Sequence, residues 1–599
     1  MIWAYSLAPT EQIRSYDPIF WAGMVLAYLA VAWRAVSGPH AVRWLGLLGL
    51  FTLLPKFWMS RSGPIYFDET AHFALLRNVI SGHKLFQHTP LLPIGTYYPG
   101  MESAAAAIHW LTGLSPWDSA LTLIAVVHCL LPVQVYYIAR ALPVPHRWAV
   151  VAGLVYAVNP SFIYEDVQFA YESVALLLML TIVRVYLEAL AAERSDGRTW
   201  GQTLLTSLLI AALSFGSVVT HHLTSLTGVA LLLLGALVLK PMTGFADRKG
   251  GRRRLFVRWT PVLTLATFLV SWIAFVAPAT VSYLSPFVTQ PAHELLSLVG
   301  LAKRATAGGG LRTLFSNSGT PGYERFAAFA APVLVAVALL FAGIRWLWKR
   351  PPKTNFLWPF VLTAVYLASL PVTLTAEGAA GAHRTWATTY VGVSLLPAAL
   401  VFLFGLHKQS PRLKRTGAAI GAALLVVLLV GNVTAGTPVD YRFPGPYRFG
   451  SDTLSVTPET LRLAQWVNTH LGSGVHVITD QYTAVALTAH AGAVTPQQGP
   501  GLPIAEIWYD RLPPFPPLMM AMERQGDDYL VVDTRDAQYV DPQSDLFIAN
   551  EPPVVPPQNI ARMANWPWLQ LLYSSQHYRV YKIDFGLYYA WYPSHAEGQ

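Results

Sequence analysis

The sequence predicts a mainly α-helical, polytopic bundle of about twelve membrane-spanning helices, followed by a small extracytoplasmic α/β domain. Three observations carry that prediction. The 599 residues are 54% hydrophobic and only 12% charged, where a soluble domain carries about 25% charge, and mean hydropathy is +0.40. Apolar runs of roughly 17–25 residues, the length a bilayer demands, recur through the first 435 residues. Basic residues concentrate in alternate loops between those runs, which sets the topology.

The runs fall at about 18–36, 43–59, 116–139, 148–163, 170–190, 202–219, 222–240, 259–280, 326–345, 356–374, 389–407 and 416–434. One set of alternate loops holds Arg34, Arg43, Arg140, Arg147, Arg184, Arg194, Arg198, the stretch Lys240 to Arg258, Arg345 to Lys353 and Lys408 to Arg415. That set carries 22 basic residues against 4 acidic ones. The opposite loops carry 10 basic against 12 acidic, and residues 436–599 carry 9 against 16. The overall charge of +9 therefore hides a steep asymmetry, and the basic set faces the cytoplasm. The first residues, the loop at 60–115 and the tail face outward. Arg252-Arg253-Arg254 then reads as an anchor beside anionic lipid, and nucleic acid is not an expected partner. Residues 1–17 include Glu11, Arg14 and Asp17 and lack the apolar core of a cleavable signal. The single cysteine, Cys129, excludes an internal disulfide and a cysteine metal cluster.

Two domains follow: a membrane part over 1–435, with a first outward loop at about 60–115, and an extracytoplasmic α/β part over 436–599. In the tail, Thr457-Pro458-Glu459 opens a helix, with Thr as cap and Pro in the first turn. Val475–Thr479, Tyr529–Asp533 and Tyr578–Ile583 read as strands. Neither a nucleotide fingerprint nor a triad spacing occurs there. Asn432-Val433-Thr434 is a glycosylation triplet, but it abuts a spanning run and carries little weight.

Unusual polar residues gather in the outward loops. The first contains Asp68, Glu69, His72, Arg77, His83, Lys84, His88 and Glu102, with one amphipathic helix from Asp68 to Ser81 closed by Gly82 and a second after Tyr97-Tyr98-Pro99-Gly100. Two acids at a helix start are favoured by the macrodipole, by about 0.3–1 kcal/mol. That alone does not explain an adjacent pair against hydrocarbon, where ionisable groups are costly and functional by default. Asp68 is therefore the candidate general base, taking the proton of an attacking hydroxyl, and His72 shares its face at i+4. Glu165-Asp166 is either a solvated turn or a second acid pair that orients a sugar. Two or three acids make a poor site for a hard cation, so a divalent metal is the disfavoured cofactor and the cofactor stays unassigned. His221-His222 are adjacent and so poorly placed to chelate. They are interfacial polar groups or contacts for a lipid phosphate. His383-Arg384 can grip a phosphate or pair with Glu377. The loop at 281–325 adds Gly308-Gly309-Gly310, Lys303, Arg304, Arg312 and Arg325.

Phe67-Asp68-Glu69-Thr70-Ala71-His72-Phe73, the following Gly82-His83-Lys84-Leu85-Phe86, and Tyr97-Tyr98-Pro99-Gly100 resemble the GT-C glycosyltransferases, in the branch of protein O-mannosyltransferases and aminoarabinose transferases. Glu165-Asp166 sits where that family has a second acidic motif. The resemblance in architecture covers about residues 40–430. It departs from the pattern in one respect: the family's acid follows the first spanning helix, and Asp68 follows the second. The resemblance implies a polyprenyl-phosphate sugar donor bound at the outer membrane edge. It implies Asp68 as catalytic base with Glu69 assisting, and cationic groups around the leaving phosphate, for which His221, His222 and Arg384 are the candidates. His72, Glu165, Asp166 and His383 complete the expected substrate-binding set.

The expected function is transfer of a sugar from a polyprenyl-phosphate carrier to an extracytoplasmic glycan, lipid or protein. The expected setting is the cytoplasmic membrane, with membrane lipids as partners and the C-terminal domain outside. A polymerase or ligase of lipid-linked oligosaccharides is the alternative within enzymes. A transporter or flippase of such lipids is the alternative outside them, disfavoured because midplane ionisable sites and repeated halves are not visible. A non-catalytic envelope assembly protein is a further one, for which Asp68→Asn leaves function intact.

Overall fold

The structure is a computed structural model. It describes residues 13–38, 40–60, 63–87, 89, 91–142, 144–193, 199–239, 251–285, 320–349, 356–374, 376–405, 411–436, 456–496, 498, 501–510, 513–538, 546–547 and 554–596. His88, Lys303, Arg304, Arg312 and the Gly308–Gly310 run lie outside the described residues, as does the side chain of Glu377.

Along the first 436 residues the helices are α1 (Ile13–Ser37), α2 (Ala41–Met59), α3 (Phe67–Gly82), α4 (Gly100–Thr112), α5 (Pro116–Ala141), α6 (His146–Tyr156), α7 (Tyr171–Ala192), α8 (Trp200–Thr220), α9 (His222–Val238), α10 (Gly251–Phe275), α11 (Gly322–Lys349), α12 (Leu357–Ser369), α13 (Ala376–Phe404) and α14 (Pro411–Gly436). Each of the twelve expected apolar runs is helical. Among the described residues, eight helices are long and apolar enough to cross a membrane, and His222–Val238 and Leu357–Thr373 are shorter apolar ones. The expected count of twelve is corrected accordingly. The clearest shortfall is α6: its 11 residues rise about 17 Å, half a hydrocarbon core. The chain leaves the helix at Ala157, and Asn159-Pro160 follows in the turn. In α2, Arg43 and Lys56 interrupt the apolar run.

Packing divides the chain into two compact units. The first comprises residues 1–61, 97–113 and 118–444. Its core is a single cluster running from Phe20 and Tyr28 through Tyr156, Met179 and Tyr186 to Tyr390 and Leu429. Asn432 belongs to this core. Its amide donates to the Val158 carbonyl and the Tyr390 hydroxyl, each at 2.7 Å, so the glycosylation triplet is internal.

The second unit comprises residues 62–96, 114–117 and 445–599. It contains α3, α15 (Pro458–His470), β1 (Val477–Ile478), α16 (Gln481–Ala491), α17 (Pro516–Gln525), β2 (Tyr529–Asp533), β3 (Leu569–Ser574), β4 (Tyr578–Ile583) and α18 (Phe585–Ala596). The sheet order is β1-β2-β4-β3, with β1 and β2 parallel and the remaining pairs antiparallel. Val477, Val531 and Val580 point to one face, under Leu463, Val467 and Leu487 of α15 and α16. Ile478, Leu530, Val532 and Tyr581 point to the other, under Leu518, Met519 and Tyr588 of α17 and α18. This is the alternation a strand buried on both faces requires. Two caps match the sequence chemistry. Thr457 and Thr460 exchange capping bonds with Pro458 at the helix start, and Asp480 accepts from the amides of Tyr482 and Thr483 at 2.9 and 3.0 Å.

The expected division at residue 435 follows topology, whereas packing takes α3 out of the membrane part. Ala71 of α3 is buried with Ala484 and Val485 of α16, flanked by Phe67 and Leu92. The Arg77 guanidinium donates to the Ala489 carbonyl. Gly82 is still helical, and the left-handed cap falls on His83 (φ 50°). Phe86 is left-handed as well (φ 59°), a conformation that costs a side-chain-bearing residue about 1–3 kcal/mol.

Candidate functional site

The predicted site residues divide between the two units. In the second unit, Asp68 and Glu69 occupy the first turn of α3. Glu69 is buried, and its carboxylate accepts from the amide of Ile65 at 3.0 Å. It satisfies one of the donors that a helix start leaves open. Asp68 is half-buried and His72 is buried. The two acids thus differ in environment: one is turned back onto its own terminus, the other partly open. A cleft at this end of α3 is lined by Ile65, Tyr66, Phe67, Thr70, Val456 and Tyr482.

The first unit brings together the remaining candidates, all at helix ends. The turn after α6 is fixed by its own sequence. Asn159 accepts from the amide of Ser161 at 2.8 Å, and Ser161 Oγ donates to the carbonyl of His383 at 2.8 Å. This joins the acidic turn to α13, where His383 and Arg384 are helical rather than in the expected loop. Asp166 is buried, with one carboxylate oxygen lacking a hydrogen-bond partner. Burial, then the charges of Glu165 and Glu172, push its carboxyl well above the ordinary range. A protonated Asp166 is a donor as well as an acceptor.

One turn into α7 stands Glu172, which the sequence reading passed over. Its Oε1 lies 3.8 Å from Arg384 Nε, and its Oε2 lies 3.9 Å from His221 Nε2. Arg384 is 20% exposed and Glu172 12%, so this pair remains reachable from outside. His221 is the cap of α9: its Nδ1 faces Thr224 Oγ1 at 2.7 Å and accepts from the Thr224 amide at 3.4 Å. With Nδ1 accepting, the ring proton of the neutral imidazole sits on Nε2, toward Glu172.

His222 begins α9, its ring centroid 4.8 Å from that of His221 and steeply inclined to it, as adjacent positions require. Tyr98, Tyr171 and Tyr283 surround it at 4.9, 6.1 and 5.5 Å. Tyr98 arrives through Tyr97-Tyr98-Pro99-Gly100, and the glycine is there for space. A Cβ on Gly100 would lie 2.9 Å from Thr220 Cα, so only glycine lets α4 start against the end of α8. Among the described residues no group of three or more His, Cys, Asp or Glu side chains is arranged to hold a metal ion.

Chemically, the cluster offers a guanidinium and an imidazole N–H steered by one carboxylate, beside an acidic turn with a neutral carboxyl. The signal for Glu172 was present in the sequence, since it follows Glu165-Asp166 by seven and six positions. It was absorbed into the apolar run that it opens.

No family model matches the sequence, and no curated protein sequence is similar to it. Solved structures are. The oligosaccharyltransferase of Archaeoglobus fulgidus in its apo form aligns at a TM-score of 0.53 and 14% identity, over 82% of this chain and 70% of that one. The archaeal oligosaccharyltransferase AglB from Archaeoglobus fulgidus, in complex with an inhibitory peptide and a dolichol-phosphate, aligns at 0.52 and 13% identity, over 83% and 70%. ArnT from Cupriavidus metallidurans bound to undecaprenyl phosphate covers 94% of this chain and 99% of its own at 15% identity, but its TM-score of 0.41 supports no argument. With its helical bundle and its small mixed sheet in the C-terminal part, the chain has the fold of the GT-C glycosyltransferases.

Proposed function

We propose that this protein is a membrane glycosyltransferase that moves a sugar from a polyprenyl-phosphate carrier to an extracytoplasmic acceptor. The observation that carries the reading is the Arg384–Glu172–His221 cluster at the helix ends of a GT-C fold. A lipid phosphate leaving from an anomeric carbon carries away the bonding electron pair, and its developing charge needs fixed positive groups. Arg384 and the Nε2–H of His221 fill that role, with Glu172 holding both. Asp68 accepts the acceptor's hydroxyl proton as the hydroxyl oxygen attacks the sugar carbon. Glu69 supports the helix turn that presents Asp68. His72, Glu165, Asp166, His222 and His383 line the substrate path. The dolichol-phosphate of the AglB complex supports a lipid-phosphate ligand for this fold.

The acceptor is a cell-envelope glycan, a lipid or a protein, and the C-terminal domain lies outside the cytoplasmic membrane. A second reading is favoured by the aligned enzymes being oligosaccharyltransferases: the donor is then a lipid-linked oligosaccharide rather than a single sugar.

The test is sugar transfer by the purified protein in lipid, from radiolabelled polyprenyl-phosphate sugars and lipid-linked oligosaccharides to an envelope acceptor extract, with and without chelator. Asp68→Asn is expected to lose roughly 10²–10⁴-fold in rate, the usual contribution of a general base. An Asp68→Asn variant as fast as wild type overturns the base assignment. Turnover of the oligosaccharide donor alone selects the second reading.

A further inference from the structure

We propose that the turn Gly82–Gln87 is a membrane-anchoring wedge, inserting Leu85 and Phe86 among the headgroups of an anionic bilayer. This does not depend on the reaction the protein performs.

The turn follows α3 and presents two large apolar side chains side by side to solvent, Leu85 at 46% and Phe86 at 47% exposure. Adjacent exposed apolar groups of this size are unfavourable in water and mark an interaction surface. The backbone specifies the presentation. His83 and Phe86 both hold left-handed angles, 50° and 59°, which residues with a Cβ adopt only when the surrounding structure imposes them. A chain relaxed at those two positions would not hold the pair outward.

The flanks indicate the occupant. His83 and Lys84 are exposed, and Lys84 brings a positive charge next to the apolar pair. Apolar side chains beside a basic flank match a headgroup layer, with hydrocarbon below and anionic phosphate above. A bilayer is also the surface this molecule always has at hand, because eight of its helices are long and apolar enough to cross one. A water-soluble partner would leave the basic flank without a counterpart of its own.

The chain has one cysteine, Cys129, so a Cys129→Ser background accepts single nitroxide labels. The full chain is placed in nanodiscs containing phosphatidylglycerol, with labels at Leu85→Cys, at Phe86→Cys and, as a water-facing comparison, at Gln570→Cys on exposed β3. Collision with oxygen, which partitions into lipid, is read against collision with a water-soluble nickel chelate. We expect the oxygen-to-nickel ratio at positions 85 and 86 to exceed that at 570 severalfold, and to fall in discs of zwitterionic lipid alone. A ratio at both positions equal to that at 570 overturns the proposal in favour of a solvated turn. Shielding from both reagents overturns it in favour of a protein partner. Thermal unfolding of each labelled variant confirms the fold, and the two labels stand in for one another should either disturb it.

Discussion

Glu172 Oε1 lies 3.8 Å from Arg384 Nε, joining the first turn of α7 to α13. The contact is long for a salt bridge and partly exposed, a class that contributes little to stability, about 0–1 kcal/mol. Its value is in orientation. Glu172→Gln is expected to shift the unfolding midpoint by no more than such a contribution. It should lower the sugar-transfer rate at least tenfold, with the larger part in kcat, since the two cations lose their common carboxylate. Steady-state kinetics alongside thermal unfolding separates the two effects. A variant with unchanged kcat removes Glu172 from the proposed mechanism.

Gly100 offers a steric test. A methyl there meets the backbone of Thr220, and overpacking of this kind costs about 1–3 kcal/mol. Gly322→Ala, with nothing within 4 Å of its new carbon, serves as the comparison and should leave the midpoint nearly unmoved. Gly100→Ala should lower it and, by displacing Tyr98 from His222, depress transfer more than its stability loss accounts for.

The second unit should respond to pH through Asp480. Burial, then the charge of Asp533, raises this carboxyl from 3.8 to about 6. Because the folded value is raised, the stabilising contribution is complete below the unfolded value and is lost as pH climbs through about 6. Asp480→Asn keeps an acceptor for the Tyr482 and Thr483 amides. It should remove that slope and gain on the order of 2–3 kcal/mol at pH 8. Unfolding midpoints at pH 5 and pH 8 measure it, and parallel slopes for wild type and variant reject the assignment.

Glu459 should show the opposite slope. Burial raises its carboxyl, but bonds from Ser575 and His577 outweigh this and hold it at about 2. Its contribution is present above the ordinary carboxyl value of 4.5 and is lost as pH falls toward 2. Glu459→Ala frees the β3–β4 turn from α15 and should cost about 1–3 kcal/mol near neutrality. The difference from wild type should shrink in acid.

Much of this architecture was legible because membrane helices and strands announce themselves by hydropathy. Thr457-Pro458, Val477-Ile478, Tyr529–Asp533 and Tyr578–Ile583 lie where their patterns put them. β3 escaped because Leu571 and Leu572 break the alternation at a bulge. α6 was overextended because its apolar composition continues past Tyr156 while the backbone turns. His383 and Arg384 looked like loop residues because polarity was taken for a helix boundary, whereas α13 carries them on a half-buried face. Glu172 went unnoticed for the converse reason, since an apolar neighbourhood disguised it. The companionship of α3 with α16 lies beyond any local pattern, because it depends on which surfaces meet after folding.

That companionship has a consequence for biogenesis. The Arg77–Ala489 bond spans 412 positions, which a ribosome adding about 5–20 residues per second takes roughly 20–80 s to traverse. Throughout that interval the nascent helix bearing Asp68 lacks the surface it is built to rest on. An outward loop left unsupported so long is a natural client for a chaperone at the translocation site. The acid it carries reaches its final setting only as synthesis draws to a close.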